Sequence, residues 1–356
     1  MTTSVKGIHD LEGPVARQRY TPAKKISRMG YHPAVRYLCR RLGHGLLVLA
    51  GVSALTFGLA ELAPGSAFDE ARIDPRISAE TVAAMRDRYG LDRSLPDKYL
   101  QWLQSIPRGD LGFSVAYDSP VGALLWPRAR NTLLLAVPAT ALAWCLAIPL
   151  GAWAASRPGG VADQGTAGAT TVLLSVPDLL LGLGLLLLAV RTGYFPTGGM
   201  ISVGFADLGP WARVKDVVSH FFLPVVALTL INLPVLVRHV RASMIDVLRA
   251  PFIQAARAAG IPERRLLLRH ALRAAANPLI SLLGLSIATL LSASVVVEMI
   301  MSWPGLGPLL INAVAARDLH LVVGVVMCST ALLVAGNLLA DVLLYAADPR
   351  LRAAQA

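Results

Sequence analysis

Charge is scarce in this chain. Only 15% of its 356 residues are charged, while 55% are hydrophobic, a balance that excludes an ordinary soluble globule. Lysine is the rarest of the common charges, confined to Lys6, Lys24, Lys25, Lys98 and Lys215. None completes a Gly-x-x-x-x-Gly-Lys-Ser/Thr pattern, so the chain builds no P-loop of its own. Seven histidines are scattered without HExxH or any other metal spacing. His239 and His270 fall in a basic region, where solvated or packing roles suit them better than ligation. The three cysteines, Cys39, Cys145 and Cys328, sit in or beside separate apolar segments and outline neither a disulfide framework nor a metal site. No nucleophile–base pair is legible.

The charge that is present is clustered. Residues 1–41 hold nine Lys/Arg against Asp10 and Glu12, a net +7, and residues 238–276 hold eight Arg against Asp246 and Glu263, a net +6. Together these exceed the whole-chain value of +11, so the remainder is near neutral. Nucleic-acid binding is one use for such charge. It does not suit basic segments that flank bilayer-length apolar runs. In a membrane protein the same asymmetry reads as topology, because basic loops stay in the cytoplasm.

A bilayer core of ~30 Å needs about 20 apolar residues in a helix. Such runs occur at 38–62, between Arg130 and Arg157, between Asp163 and Arg191, near Phe221–Val237, near Leu279–Val297 and near Leu321–Leu344. The expectation is an all-α integral membrane protein of six spans with both termini cytoplasmic. Residues 1–37 read as a flexible basic tail that touches anionic lipid, too long and too basic for a signal peptide, and 348–356 as a second cytoplasmic tail. Residues 63–130 read as an extracytoplasmic insertion, its ten acids (counting Glu61) nearly balancing nine bases. Within it Ser78 caps a helix ending at Gly90, Pro96 opens another ending near Pro107, and Gly109-Asp110-Leu111-Gly112 forms a turn. The insertion is either a structural cap or a substrate contact. The outer loop 191–218 places Trp211 at headgroup level, and the five later spans make a core over 131–347.

The stretch 249–278, RAPFIQAARAAGIPERRLLLRHALRAAANP, organises the chain. Pro251 suits the first position of a short helix and Gly260 a left-handed cap. Pro262 restarts the chain, and Arg265, Arg269 and Arg273, four apart, share one face. The pattern predicts helix, bend and helix outside the lipid. It is either a docking surface or a basic loop that sets topology.

Two further stretches carry polar groups near the membrane. Ser175-Val176-Pro177-Asp178 places an acid and a helix break in the third span, so Asp178 either lines a path, pairs within the bundle or lies nearer the surface. Glu298 precedes Trp303-Pro304-Gly305-Leu306-Gly307, a tight re-entrant turn that either gates the outer mouth or simply spaces spans five and six.

Gln254-Ala255-Ala256 followed, after three intervening residues, by Gly260 resembles the EAA loop of ABC importer permeases. Residues Phe252–Asn277 are similar to the dipeptide/oligopeptide branch of that family, where the position of Gln254 varies. The Leu62-Ala63-Pro64-Gly65 exit, Gly90-Leu91-Asp92 with Pro96, Tyr99 and Trp102, Gly109-Asp110-Leu111-Gly112, the Glu298 to Gly307 pattern with Arg317-Asp318, and Asp348-Pro349-Arg350 carry the same resemblance. His320 departs from it, standing where the family commonly has proline. The resemblance implies a type I ABC importer permease fold and import of di- or oligopeptides. It implies as partners a second homologous permease subunit, two ATPase domains that bind the ATP and magnesium, and an extracytoplasmic binding protein. It implies ATPase coupling through Gln254, Ala255, Ala256, Arg257, Gly260 and Arg264, and a path or gate at Asp178, Glu298, Pro304, Gly305 and Gly307. No cofactor is expected in this chain itself. The competing reading is a stand-alone ion-coupled carrier, for which Asp178 and Asp341 are the available mid-membrane acids.

Overall fold

A computed structural model of the chain describes residues 33–62 and 94–347. The tail up to residue 32, the segment 63–93 with its expected Ser78–Gly90 helix, and Asp348-Pro349-Arg350 lie outside the described residues. Helices are labelled α1 (Pro33–Leu62), α2 (Leu95–Ser105), α3 (Val121–Ser156), α4 (Val161–Ser175), α5 (Asp178–Thr192), α6 (Pro210–Leu248), α7 (Pro251–Ala258), α8 (Glu263–Ile300), α9 (Leu306–Ala315) and α10 (Leu319–Ala347). A two-residue-per-strand hairpin, β1 (Phe113–Ser114) and β2 (Ser119–Pro120), pairs Phe113 with Pro120 and Ser114 with Ser119.

Helices α1, α3, α6, α8 and α10 are each long and apolar enough to cross a membrane. The third expected span is instead a broken pair. Helices α4 and α5 meet at a 95° bend at Val176-Pro177, where proline has no N–H to continue the first helix. Two spans outrun the apolar windows that announced them. The 36 residues of α3 and 39 of α6 reach about 55 Å at 1.5 Å per residue, well beyond a hydrocarbon core. The second span therefore begins at Val121 rather than near Arg130, because Val121, Leu125 and Ala129 form a buried stripe against α9 and α10. The Arg265 helix is likewise no separate element. It runs on into the fifth span through one π turn, Leu266–Ala271. That turn adjusts the register: buried positions fall at Leu266 and Ala271, five apart, and then at Ala275 and Leu279, four apart. Arg265, Arg269 and Arg273 stay exposed.

Small residues set how closely the spans approach. Helix α3 meets α6 along Ala139, Ala143, Ala147 and Gly151, all buried. A Cβ at Gly151 would lie 2.7 Å from Val240 Cβ. On the other flank Gly336 admits Ile287 and Gly45 admits Val334. Helix α1 is secured by Phe57 packed against Tyr99 and Trp102 of α2, with Ser53 Oγ 3.0 Å from Tyr99 Oη.

Asp318 closes the end of the bundle that carries the hairpin. Its buried carboxylate accepts from Ser114 Oγ at 2.7 Å, Ala116 N at 3.1 Å and Leu321 N at 3.1 Å. It therefore caps α10 and holds the hairpin with one group. His320 lies beside Gly112, where any Cβ would collide with the imidazole. Asp318→Ala leaves the buried Ser114 hydroxyl and Leu321 amide without this acceptor, at a cost of about 2–3 kcal/mol. Thermal unfolding in detergent should drop accordingly, with new protease cleavage between residues 106 and 120. An unchanged transition would show that the hairpin is held by other means.

Candidate functional site

The expected docking residues surround one rigid bend. Helix α7 begins at Pro251, and the chain reverses at Gly260, which takes φ +79°. Ile253 is the pin. It is completely buried, packed in one cluster with Met244, Leu248 and Leu266. Gln254 Nε2 donates to Leu248 O at 2.9 Å and ties α7 back to the end of α6. Arg257 bridges the bend, donating to Glu263 Oε1 at 2.8 Å and Oε2 at 3.2 Å, and to Gln254 Oε1 at 3.3 Å. This pairing raises the Arg257 pKa further above its ordinary value. Gln254, Ala255, Arg257, Gly260 and Arg264 are exposed, and Ala256 is half-buried. This short helix has one buried anchor and exposes Phe252 beside polar and small residues. Chemically the segment offers shape, N–H and C=O groups and guanidinium charge to a partner.

The expected path residues divide. Four of them converge at the opposite end of the bundle. The Glu298 carboxylate is fully buried. It accepts from Thr132 Oγ1 at 2.7 Å and from Gly307 N at 2.8 Å. Thr132 Oγ1 in turn accepts from Leu306 N at 2.9 Å. Pro304 O accepts from Asn131 Nδ2 at 2.8 Å, and Trp303 Nε1 donates to Asn131 O at 3.0 Å. The glycines are required by proximity, since a Cβ at Gly305 would overlap the Glu298 carboxylate and one at Gly307 would lie 2.7 Å from Val295 Cα. The turn 301–305 thus folds back into the bundle and launches α9, a ten-residue apolar helix. From outside, Gly199 N donates to Met301 O at 3.0 Å, joining the loop after α5 to the same turn.

Asp178 stands apart. It is the first residue of α5, directly after the bend, and it is exposed. The neighbouring Ser175 hydroxyl donates within its own helix to Thr171 O. Sequence reasoning missed Asn131, Thr132, Asp163 and Arg241 as site-building residues. The only local signal was a polar Asn131-Thr132 pair set just inside an apolar run.

Membrane-length helices packed through small residues, a broken span, a re-entrant apolar helix and a short helix pinned at the opposite end describe a polytopic membrane protein. Comparison with known proteins agrees. Residues 147–353 match the family described as "Binding-protein-dependent transport system inner membrane component", and residues 34–120 match its N-terminal region, "Binding-prot-dependent transport system membrane comp, N-term". The chain is 36% identical over 317 residues to the oligopeptide transport system permease protein AppB of Bacillus subtilis, covering 88% of this chain and 98% of that one. It is 33% identical to the dipeptide transport system permease protein DppB of Escherichia coli K12, covering 89% and 99%. It is also 33% identical to the oligopeptide transport system permease protein OppB of Mycobacterium tuberculosis, again covering 89% and 99%. The chain belongs to the family of binding-protein-dependent inner-membrane permeases, with the type I ABC permease fold.

Glu298→Ala strands the Thr132 hydroxyl and the Gly307 amide, at a cost of about 3–5 kcal/mol. Gly305→Ala should cost a similar amount by expelling the same carboxylate. The pair should fall well short of additive, because both act on one network. Unfolding of the single and double variants in detergent measures this, and simple additivity would show the two sites to be independent.

Proposed function

We propose that this permease forms half of the path by which an ATP-driven importer carries di- or oligopeptides across the cytoplasmic membrane. The peptide assignment rests on the names of its relatives. The other half is a second homologous permease subunit, and two ATPase domains bind ATP and magnesium on the cytoplasmic side. An extracytoplasmic binding protein delivers the peptide to the opposite end. In this reading six spans, counting the broken pair as one, leave both termini in the cytoplasm, where the basic segment 238–276 also lies. The sequence carries no Gly-x-x-x-x-Gly-Lys-Ser/Thr pattern, which supports hydrolysis by partner subunits.

The observation that carries the mechanism is the construction of α7. Its exposed surface seats in a groove of an ATPase domain, while Ile253 and the Gln254–Leu248 bond fix it to α6. Closure of the ATPases on ATP displaces α7 and with it the coupling end of the bundle, opening the path outward. Hydrolysis and separation return it inward. Asp178 belongs to this path as an exposed acid at the broken span, suited to a peptide's amino group. The Glu298 turn holds the outer rim in shape, with Pro304, Gly305 and Gly307 in its wall.

Gly260→Glu tests the docking surface. A side chain there meets no neighbouring atom, so the substitution adds backbone strain of about 1–2 kcal/mol and a negative charge at the bend. From membranes solubilised in mild detergent, ATPase subunits should co-purify with wild type and with Gly260→Ala, and be lost with Gly260→Glu. Equal recovery with all three would remove the bend from the interface.

A further inference from the structure

Helix α4 is tethered by polar bonds rather than by apolar packing. Of its fifteen residues only Asp163 and Thr170 are buried, and both face arginines of α6. The Arg241 guanidinium grips both Asp163 oxygens, Nη2 donating to Oδ2 at 2.8 Å and Nε to Oδ1. Asp163 also accepts from Gly159 N at 2.8 Å, which fixes the loop before α4. Farther along, Arg238 donates to Thr171 Oγ1 at 2.8 Å and to Thr170 Oγ1 at 3.4 Å. Beside these bonds runs an apolar groove of about 440 Å³, lined by Trp153, Gly165, Ala169, Leu173, Leu233 and others.

The other half of the broken span is held at the other end of the bundle, by α8 and by the opposite end of α6. In α5, Gly182 lies against Ile300 of α8, and beyond its end Phe195 stacks on Phe222 at 5.2 Å. The 95° bend therefore joins a segment tethered to the coupling end of α6 to a segment packed at the opposite end of the bundle. Arg238 and Arg241 lie in the last turns of α6 before α7. Gly151 seats against Val240, so α3 and α6 are in close contact at this level.

We infer that the Asp163–Arg241 pair, with Arg238 on Thr170 and Thr171, is a positioning device that carries displacement of α7 through α6 to α4. It thereby changes the bend at Pro177, beside Asp178. This rests on the reading of α7 as the coupling helix. A two-pronged guanidinium–carboxylate pair resists rotation as well as separation, so α4 follows both translation and twist of α6, where an apolar contact would slip. The bend at Val176-Pro177 is the element whose angle such coupling would change.

The test uses the assembled importer with its ATPase subunits. In a chain whose native cysteines are replaced, spin labels at Val161→Cys on α4 and Leu187→Cys on α5 report the bend. Distances are measured with and without a non-hydrolysable ATP analogue. The distance should shift on nucleotide binding. In Asp163→Asn the resting distance and the bound ATPases should be retained, the shift lost, and peptide uptake lowered about two- to thirtyfold. A shift that persists in Asp163→Asn overturns the inference. So does an altered resting distance, which would make the pair a plain scaffold, and so does a wild type that shows no shift with ATPases bound. Failure of the wild-type chain to bind ATPases would sink the coupling reading itself, and this inference with it.

Discussion

Inside a bilayer each backbone N–H and C=O must find its partner within the protein. Among the described residues two breaks adjoin apolar, membrane-length helices, at 176–177 and at 301–305, and each shows how that demand is met. At 301–305 the chain folds back because Glu298, Asn131 and Thr132 supply acceptors and donors to a turn that has left helical bonding. The carboxylate is the centre of that arrangement, and two glycines leave the space it occupies. At 176–177 proline removes the demand by removing a donor, and the chain resumes as a new helix at Asp178.

From this follows a division of labour between the two ends of the bundle. One end is closed by buried carboxylates, Glu298 on α9's turn and Asp318 on the hairpin, each satisfied by several donors. Such sites are costly to disturb and hold one geometry. The other end carries exposed polar surface on α7 and an ion pair, Asp163–Arg241, between helices with little apolar packing between them.

How much of this was legible in the sequence depended on range. Pro251 and Gly260 announced a short helix and its left-handed stop because both act through their own backbone, and both stand where expected. The apolar runs announced the spans, although Arg128 and Arg130 hid ten residues of α3 by interrupting the hydrophobic window, and the arginines of 264–273 hid the continuity of α8. Pro177 signalled a break but not its angle, which depends on what α4 and α5 pack against. The pairings of Asp163 with Arg241, Thr132 with Glu298 and Ser114 with Asp318 join residues 78, 166 and 204 apart. No local pattern encodes such distances. The resemblance marked Glu298 and Asp318 as positions of note without saying that each is a buried acceptor.

The central claim is that α7 is where an ATPase engages this chain. The most direct measurement is cross-linking from a single cysteine. Ala255→Cys, in a chain lacking Cys39, Cys145 and Cys328, would be co-expressed with the ATPase subunits and treated with a short bifunctional maleimide reagent in membranes. Val203→Cys, exposed at the other end of the bundle, is the control. The account predicts a cross-linked species containing the ATPase from Ala255→Cys, with a yield that changes when ATP is added, and none from Val203→Cys. An Ala255→Cys chain that is labelled readily yet never joins an ATPase subunit, with or without ATP, would contradict it.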